Sequence, residues 1–217
     1  MTIQFYCGSG SPYVWRVWLA LEHKQIPYEL KMLSFSEKDM SKPAFLAVNP
    51  RGKVPAITDG DFALWESAAI MEYLDERFPP ATPQTALFPK DLKQRATVRR
   101  KIREIDEYFG NAIERIVGQL LFKKEADWDQ RKIAQFVNTA AKELEVIEAW
   151  VDGGFVDEQI SAADFTLYPY VAMGVRLERR KPDLGFSPLL TPAIKSWMRK
   201  IEGLPCFDKA YPPHWKE

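Results

Sequence analysis

The sequence predicts an α/β domain followed by an all-helical one, and three observations carry that prediction. Two short alternating runs, Ile3-Phe5-Cys7 and Tyr28 to Leu33, enclose a stretch with helical spacing, as a parallel β-α-β unit requires. Val54 to Trp65 then reads as a β-hairpin with Asp59-Gly60-Asp61 as its turn. Beyond Pro79-Pro80-Ala81-Thr82-Pro83, which cannot continue a helix, the periodicity is helical from Asp91 onward. The expected units are residues 1–80, a linker over 81–90 and a helical domain over 91–217.

Taken in order, the first strand breaks at Gly8-Ser9-Gly10, and Ser11-Pro12 opens a helix. Serine is a favoured N-cap and proline is favoured at the first helical position. Val14, Val17, Trp18 and Leu21 give this helix a buried face, and it ends near His23-Lys24. Ser34 to Ser41 is loop-like, Pro43 to Val48 is a short helix, and the helix after the hairpin runs to about Phe78. The order is β-α-β-α-β-β-α. Helical segments follow near 91–122, 129–152, 161–179 and 191–203. Ser161-Ala162-Ala163-Asp164 fits a capping box, so Asp164→Ala is expected to cost about 0.5–2 kcal/mol of stability. Arg95, Arg99, Arg100, Lys101 and Arg103 read as a solvated helix face or a dimer contact.

Composition narrows the function. Thirty Lys and Arg balance thirty Asp and Glu, which argues against nucleic acid or an anionic membrane as a partner. The apolar runs are too short to span a bilayer, and Met1-Thr2-Ile3-Gln4-Phe5 lacks a signal core. Two cysteines make no disulfide framework, so the expected location is the cytoplasm. With only His23 and His214, and no cluster at metal-ligand spacing, no metal is expected.

The chemistry concentrates in residues 49–70. Pro55 lacks an N–H and belongs at a strand's first residue; a cis bond there would turn the N–H and C=O of Val54 outward, free to pair with an extended peptide-like ligand. Glu66 and Ser67 stand where a helix begins, suited to a carboxylate on the helix end and an ammonium on Glu66. A ligand with amide groups along its body and an α-amino acid head fits both halves, and glutathione has that shape. Together with Ser11-Pro12-Tyr13-Val14-Trp15-Arg16-Val17, this stretch resembles the cytosolic glutathione S-transferases of serine type (tau-, zeta- and theta-like).

The resemblance implies a thioredoxin-like N-terminal domain that binds glutathione as co-substrate, a helical domain that helps hold a hydrophobic electrophile, and a homodimer. It makes Ser11 the catalytic residue, donating a hydrogen bond that holds the glutathione sulfur as thiolate. A free thiol has a pKa of about 8.5, and a hydrogen bond to a charged acceptor contributes about 1.5–3 kcal/mol, one or two pKa units. Tyr6 lies too far before Arg16 for the tyrosine-type pattern, Ser9 lacks the proline context, and Cys7 has no second thiol at Cys-x-x-Cys spacing. Lys53, with Lys42 as a second cation, is expected to meet the glycine carboxylate; Val54, Glu66 and Ser67 complete the glutathione set. Electrophile-pocket walls are expected from Tyr13, Phe35, Tyr108, Ile113 and Trp215, with Phe109 and Met173 as further positions. Asp106 is a candidate to reach the partner subunit's glutathione, and the proline-rich tail 211–215 to fold over the pocket. The implied activity is transfer of glutathione to electrophiles. Alternatives on the same fold are isomerisation, dehalogenation or peroxide reduction, or binding without catalysis. The zeta-type isomerase is disfavoured because its Ser-Ser-Cys is here Ser11-Pro12-Tyr13.

Overall fold

A computed structural model describes residues 2–156 and 159–216, the side chain of Pro83 aside. Two compact units emerge: Met1–Phe88 together with Leu204–Glu217, and Pro89–Gly203. The first boundary falls inside the predicted linker. The second differs from expectation, because the C-terminal tail joins the α/β unit instead of the helical one.

The α/β unit follows the predicted order: β1 (Ile3–Cys7), α1 (Pro12–His23), β2 (Tyr28–Met32), α2 (Pro43–Leu46), β3 (Ala56–Asp59), β4 (Phe62–Trp65) and α3 (Ser67–Arg77). The sheet order is β2-β1-β3-β4, with β1 and β2 parallel and the other pairs antiparallel. This is the thioredoxin-like arrangement. Ile3, Phe5 and Cys7 are fully buried, and the Phe5 ring meets Trp18 and Tyr28 edge-on at 6.2 and 5.9 Å. Lys24 Nζ pairs with Asp75 Oδ1 at 2.7 Å, tying the end of α1 to α3, and the same oxygen accepts from Leu87 N–H.

The helical unit contains α4 (Leu92–Glu104), a π-helical turn Ile105–Gly110, α5 (Asn111–Leu120), α6 (Gln130–Val151), α7 (Ala162–Leu177) and α8 (Pro192–Glu202). Short α9 (Phe207–Ala210) belongs to the tail. The sequence reads 91–122 as one helix, whereas the π turn interrupts it where a Cβ on Gly110 would stand 2.7 Å from Tyr170 Cζ. Helix α7 is buried over residues 162–171 without a break, as its all-round apolar sequence demands, and forms the centre of this unit.

Its start is built as a capping box, with Ser161 as N-cap and Asp164 at the third helical position. Asp164 reaches further than a cap. Among the described residues its carboxylate accepts from Ser161 N–H and Oγ–H, from Val156 N–H at 2.8 Å and from Trp197 Nε1 at 2.9 Å. The other end depends on Gly174, where an added Cβ would lie 2.3 Å from Phe186 Cε1 and Cζ. Phe186 is fully buried and cannot swing aside. Helix propensity favours alanine at such a position by about 1 kcal/mol, but overpacking costs about 1–3 kcal/mol. Gly174→Ala is therefore expected to lower the denaturation midpoint, and Phe186→Leu in the same chain to restore part of the loss. A Gly174→Ala protein as stable as the parent would refute this packing.

Candidate functional site

Four elements of the α/β unit converge on Gly8, just past β1. The register that pairs Tyr6 with Ala56 brings Gly8 opposite Val54, and a Cβ on Gly8 would stand 2.8 Å from Val54 Cγ2 and 2.7 Å from Phe35 Cζ. The Gly8 carbonyl accepts from Ser11 N–H at 3.3 Å. Ser11 and Val54 thus flank one glycine, whose lack of a side chain lets strand, loop and helix start approach.

Ser11 is the N-cap residue of α1, with extended backbone (φ −72°, ψ 127°). Proline at the next position removes one of the N–H groups that a helix start leaves unpaired. The Ser11 side chain makes no capping hydrogen bond. Its hydroxyl therefore stands at the positive end of a twelve-residue helix without being spent on that helix.

The Val54–Pro55 bond is cis, and among the described residues no hydrogen bond engages the N–H or C=O of Val54. The loop that delivers Val54 is held by Asn49, whose role the sequence reading missed. This buried side chain donates from Nδ2 to the Lys53 carbonyl at 2.6 Å and accepts at Oδ1 from Arg51 N–H at 3.0 Å. An Asx turn before Pro50-Arg51-Gly52 was the available signal.

Glu66 is exposed and precedes α3 as its N-cap, yet its carboxylate does not cap the helix. Its backbone sits at φ 70°, ψ 106°, a conformation that side-chain-bearing residues rarely adopt and that accompanies functional sites. Ser67, the first helical residue, is 6 % exposed. Lys53 is exposed. The Lys42 ammonium pairs with Asp39 at 2.6 Å, and Asp39 Oδ2 also accepts from Ser34 N–H.

The proposed pocket walls divide by burial. Phe35 and Tyr108 are 53 % and 57 % exposed, and Tyr13 is half-buried with Arg16 over its ring at 4.9 Å. Ile113 and Phe109 are core residues of the helical unit, and Met173 is nearly so. Trp215 is buried within the α/β unit against Trp15, at 5.2 Å. Apolar spacing cannot distinguish a core wall from a pocket wall. Asp106 accepts from Tyr170 Oη–H at 3.2 Å within the π turn.

Neither cysteine is poised as a nucleophile. Burial pushes the Cys7 thiol up to about 12 and the Cys206 thiol up to about 11. Among the described residues no group of His, Cys, Asp or Glu side chains could hold a metal ion.

An α/β unit of thioredoxin-like order, a Val54 main chain left without a hydrogen bond among the described residues beside a cis proline, and a separate helical unit define the class. Residues 10–77 match the family model described as glutathione S-transferase, N-terminal domain. The chain is 31 % identical to the probable maleylacetoacetate isomerase 2 of Drosophila melanogaster, covering 91 % of this chain and 82 % of that protein. It is also 31 % identical to the maleylacetoacetate isomerase of Mus musculus, covering 91 % and 87 %. The crystal structure of a glutathione S-transferase from the Antarctic clam Laternula elliptica superposes with a TM-score of 0.80 at 33 % identity, over 100 % of this chain and 95 % of that one. The chain belongs to the glutathione S-transferase family.

Proposed function

We propose that this protein is a serine-type, glutathione-dependent transferase in which Ser11 stabilises the glutathione thiolate. One observation carries the reading: the Ser11 hydroxyl, the Val54 main chain and the Glu66 carboxylate, all in the α/β unit, have no hydrogen-bond partner among the described residues. A tripeptide laid along Val54 as an added strand would pair with its N–H and C=O. The head carboxylate would meet Ser67 and the α3 N-terminus, the ammonium Glu66, and the glycine carboxylate Lys53. The sulfur, hydrogen-bonded to Ser11, would then lose its proton to solvent and attack an electrophilic carbon. Cytoplasm, where glutathione keeps thiols reduced, is the compartment that suits this chemistry. A homodimer forms part of the same reading.

The printed names of the fly and mouse relatives favour one second reading, a glutathione-dependent isomerase. There the same thiolate adds to a cis double bond, the adduct rotates, and the sulfur leaves. Incubation with glutathione and, in turn, an aryl halide, a cis-enone and a hydroperoxide separates the outcomes by product mass. A conjugate supports the transferase, and a trans product of unchanged mass supports the isomerase. Absence of glutathione binding in calorimetry defeats both.

A further inference from the structure

The C-terminal tail grips the segment around Ser11 from both sides. On one side, His214 Nδ1 and Ser9 Oγ share a hydrogen bond of 2.7 Å. The same imidazole lies over Gly10: Cε1 and Nε2 stand 2.7 and 2.9 Å from the place of a Gly10 Cβ, and Trp215 Nε1 stands at 3.2 Å. Gly10 has φ +86°, so the loop needs glycine there for both conformation and space. On the other side, Trp15 N–H donates to the Ser11 carbonyl at 2.9 Å, and the Trp15 indole packs against Trp215 at 5.2 Å, Tyr211 at 5.5 Å and Phe207 at 6.1 Å. Ser11 sits between these two holds, and its own side chain contributes no cap to fix the turn.

We propose that residues 211–215 are a latch in which His214, through Ser9, positions the Ser11 hydroxyl toward the sulfur of bound glutathione. His214 is a positioning residue that acts through the loop, and the aromatic cluster on Trp15 anchors it. The proposal rests on Ser11 as the thiolate-stabilising group. Losing one hydrogen bond of ordinary strength shifts an equilibrium by about threefold to tenfold. The loss should fall on the thiolate and spare binding, because Val54, Glu66 and Ser67 lie on other elements.

The test titrates the thiolate absorbance of bound glutathione against pH in wild type, His214→Leu, His214→Asn, Ser9→Ala and Ser11→Ala, with glutathione affinity measured by calorimetry. His214→Leu and Ser9→Ala are expected to leave about threefold to tenfold less thiolate at a pH below the bound thiol's pKa, with affinity within about twofold. A double variant carrying His214→Leu and Ser9→Ala should lose no more than either single one. His214→Asn, whose amide can share a proton with Ser9 in either direction, should restore the wild-type curve. A wild-type curve in His214→Leu, or an equal loss in His214→Asn, overturns the latch. If His214→Leu fails to fold, Ser9→Ala decides alone, since it leaves the aromatic anchor intact. A shifted Ser11→Ala beside an unshifted Ser9→Ala defeats the latch only. An unshifted Ser11→Ala defeats the Ser11 assignment itself, and the latch with it.

Discussion

Asp164→Ala is expected to destabilise the helical unit by about 4 kcal/mol, more than the loss of a helix cap alone. The cap accounts for about 0.5–2 kcal/mol. The rest comes from Val156 N–H and Trp197 Nε1, left buried without an acceptor at about 1–3 kcal/mol each, summed at less than full additivity. For a chain of this size that corresponds to a denaturation midpoint lower by about 10 °C. A loss confined to about 1 kcal/mol would show that the two distant donors find other partners. A dependence on pH accompanies it. Burial raises the Asp164 pKa to about 6, against the pull of its four hydrogen-bond donors among the described residues. The folded chain then holds this proton more tightly than the unfolded chain does. That contribution to stability is complete below about pH 4 and is lost as the pH rises through 6, about 3 kcal/mol in all. Asp164→Asn lacks the titration, so the stability gap between wild type and this variant should shrink from pH 4 to 7. A gap that widens would mean the donors outweigh burial.

Ser11→Ala is expected to lower turnover at neutral pH by about tenfold to a hundredfold, through the thiol alone. A hydrogen bond to a thiolate contributes about 1.5–3 kcal/mol, so its removal raises the bound thiol's pKa by about one or two units. Glutathione affinity should change little, because the main chain of Val54 and the helix end at Ser67 are untouched. The α1 dipole remains, so some thiolate survives. Since the Ser11 side chain makes no capping hydrogen bond, the variant should fold with stability close to wild type. Turnover, thiolate absorbance and thermal midpoint are measured on the same preparation. A large fall in midpoint with an unshifted thiol would return Ser11 to the role of a helix cap.

The elements most legible in the sequence are those whose cause is local. Pro55 marks a strand start because it lacks an N–H, and Ser161 with Asp164 marks a helix start because three residues span one turn. The parallel and antiparallel parts of the sheet follow from alternation separated by a helix or by a tight turn. What stayed hidden depends on residues far apart in the chain. No local pattern around Asp164 announces Trp197, and nothing near Gly110 announces that the Tyr170 ring lies where its side chain would be. Ile113 and Trp215 carry the same apolar signature whether they face a pocket or a core, and both are buried here. The tail's prolines do exclude a long helix, but its attachment to α1 comes from Trp15, two hundred residues earlier. Asn49 lay inside the stretch that mattered most, and its two side-chain bonds became visible only once the loop had closed around it.

The two shielded thiols carry a consequence for the protein's own durability. A catalyst that generates a reactive sulfur anion among alkylating molecules risks becoming their target. With Cys7 pushed up to about 12 and Cys206 to about 11, fewer than about one in a thousand of either would be anionic near neutrality. Under the proposed chemistry, nucleophilic sulfur would be confined to the bound glutathione. In the transferase proposed above, each turnover would carry its spent sulfur away in the product and leave the polypeptide unmodified.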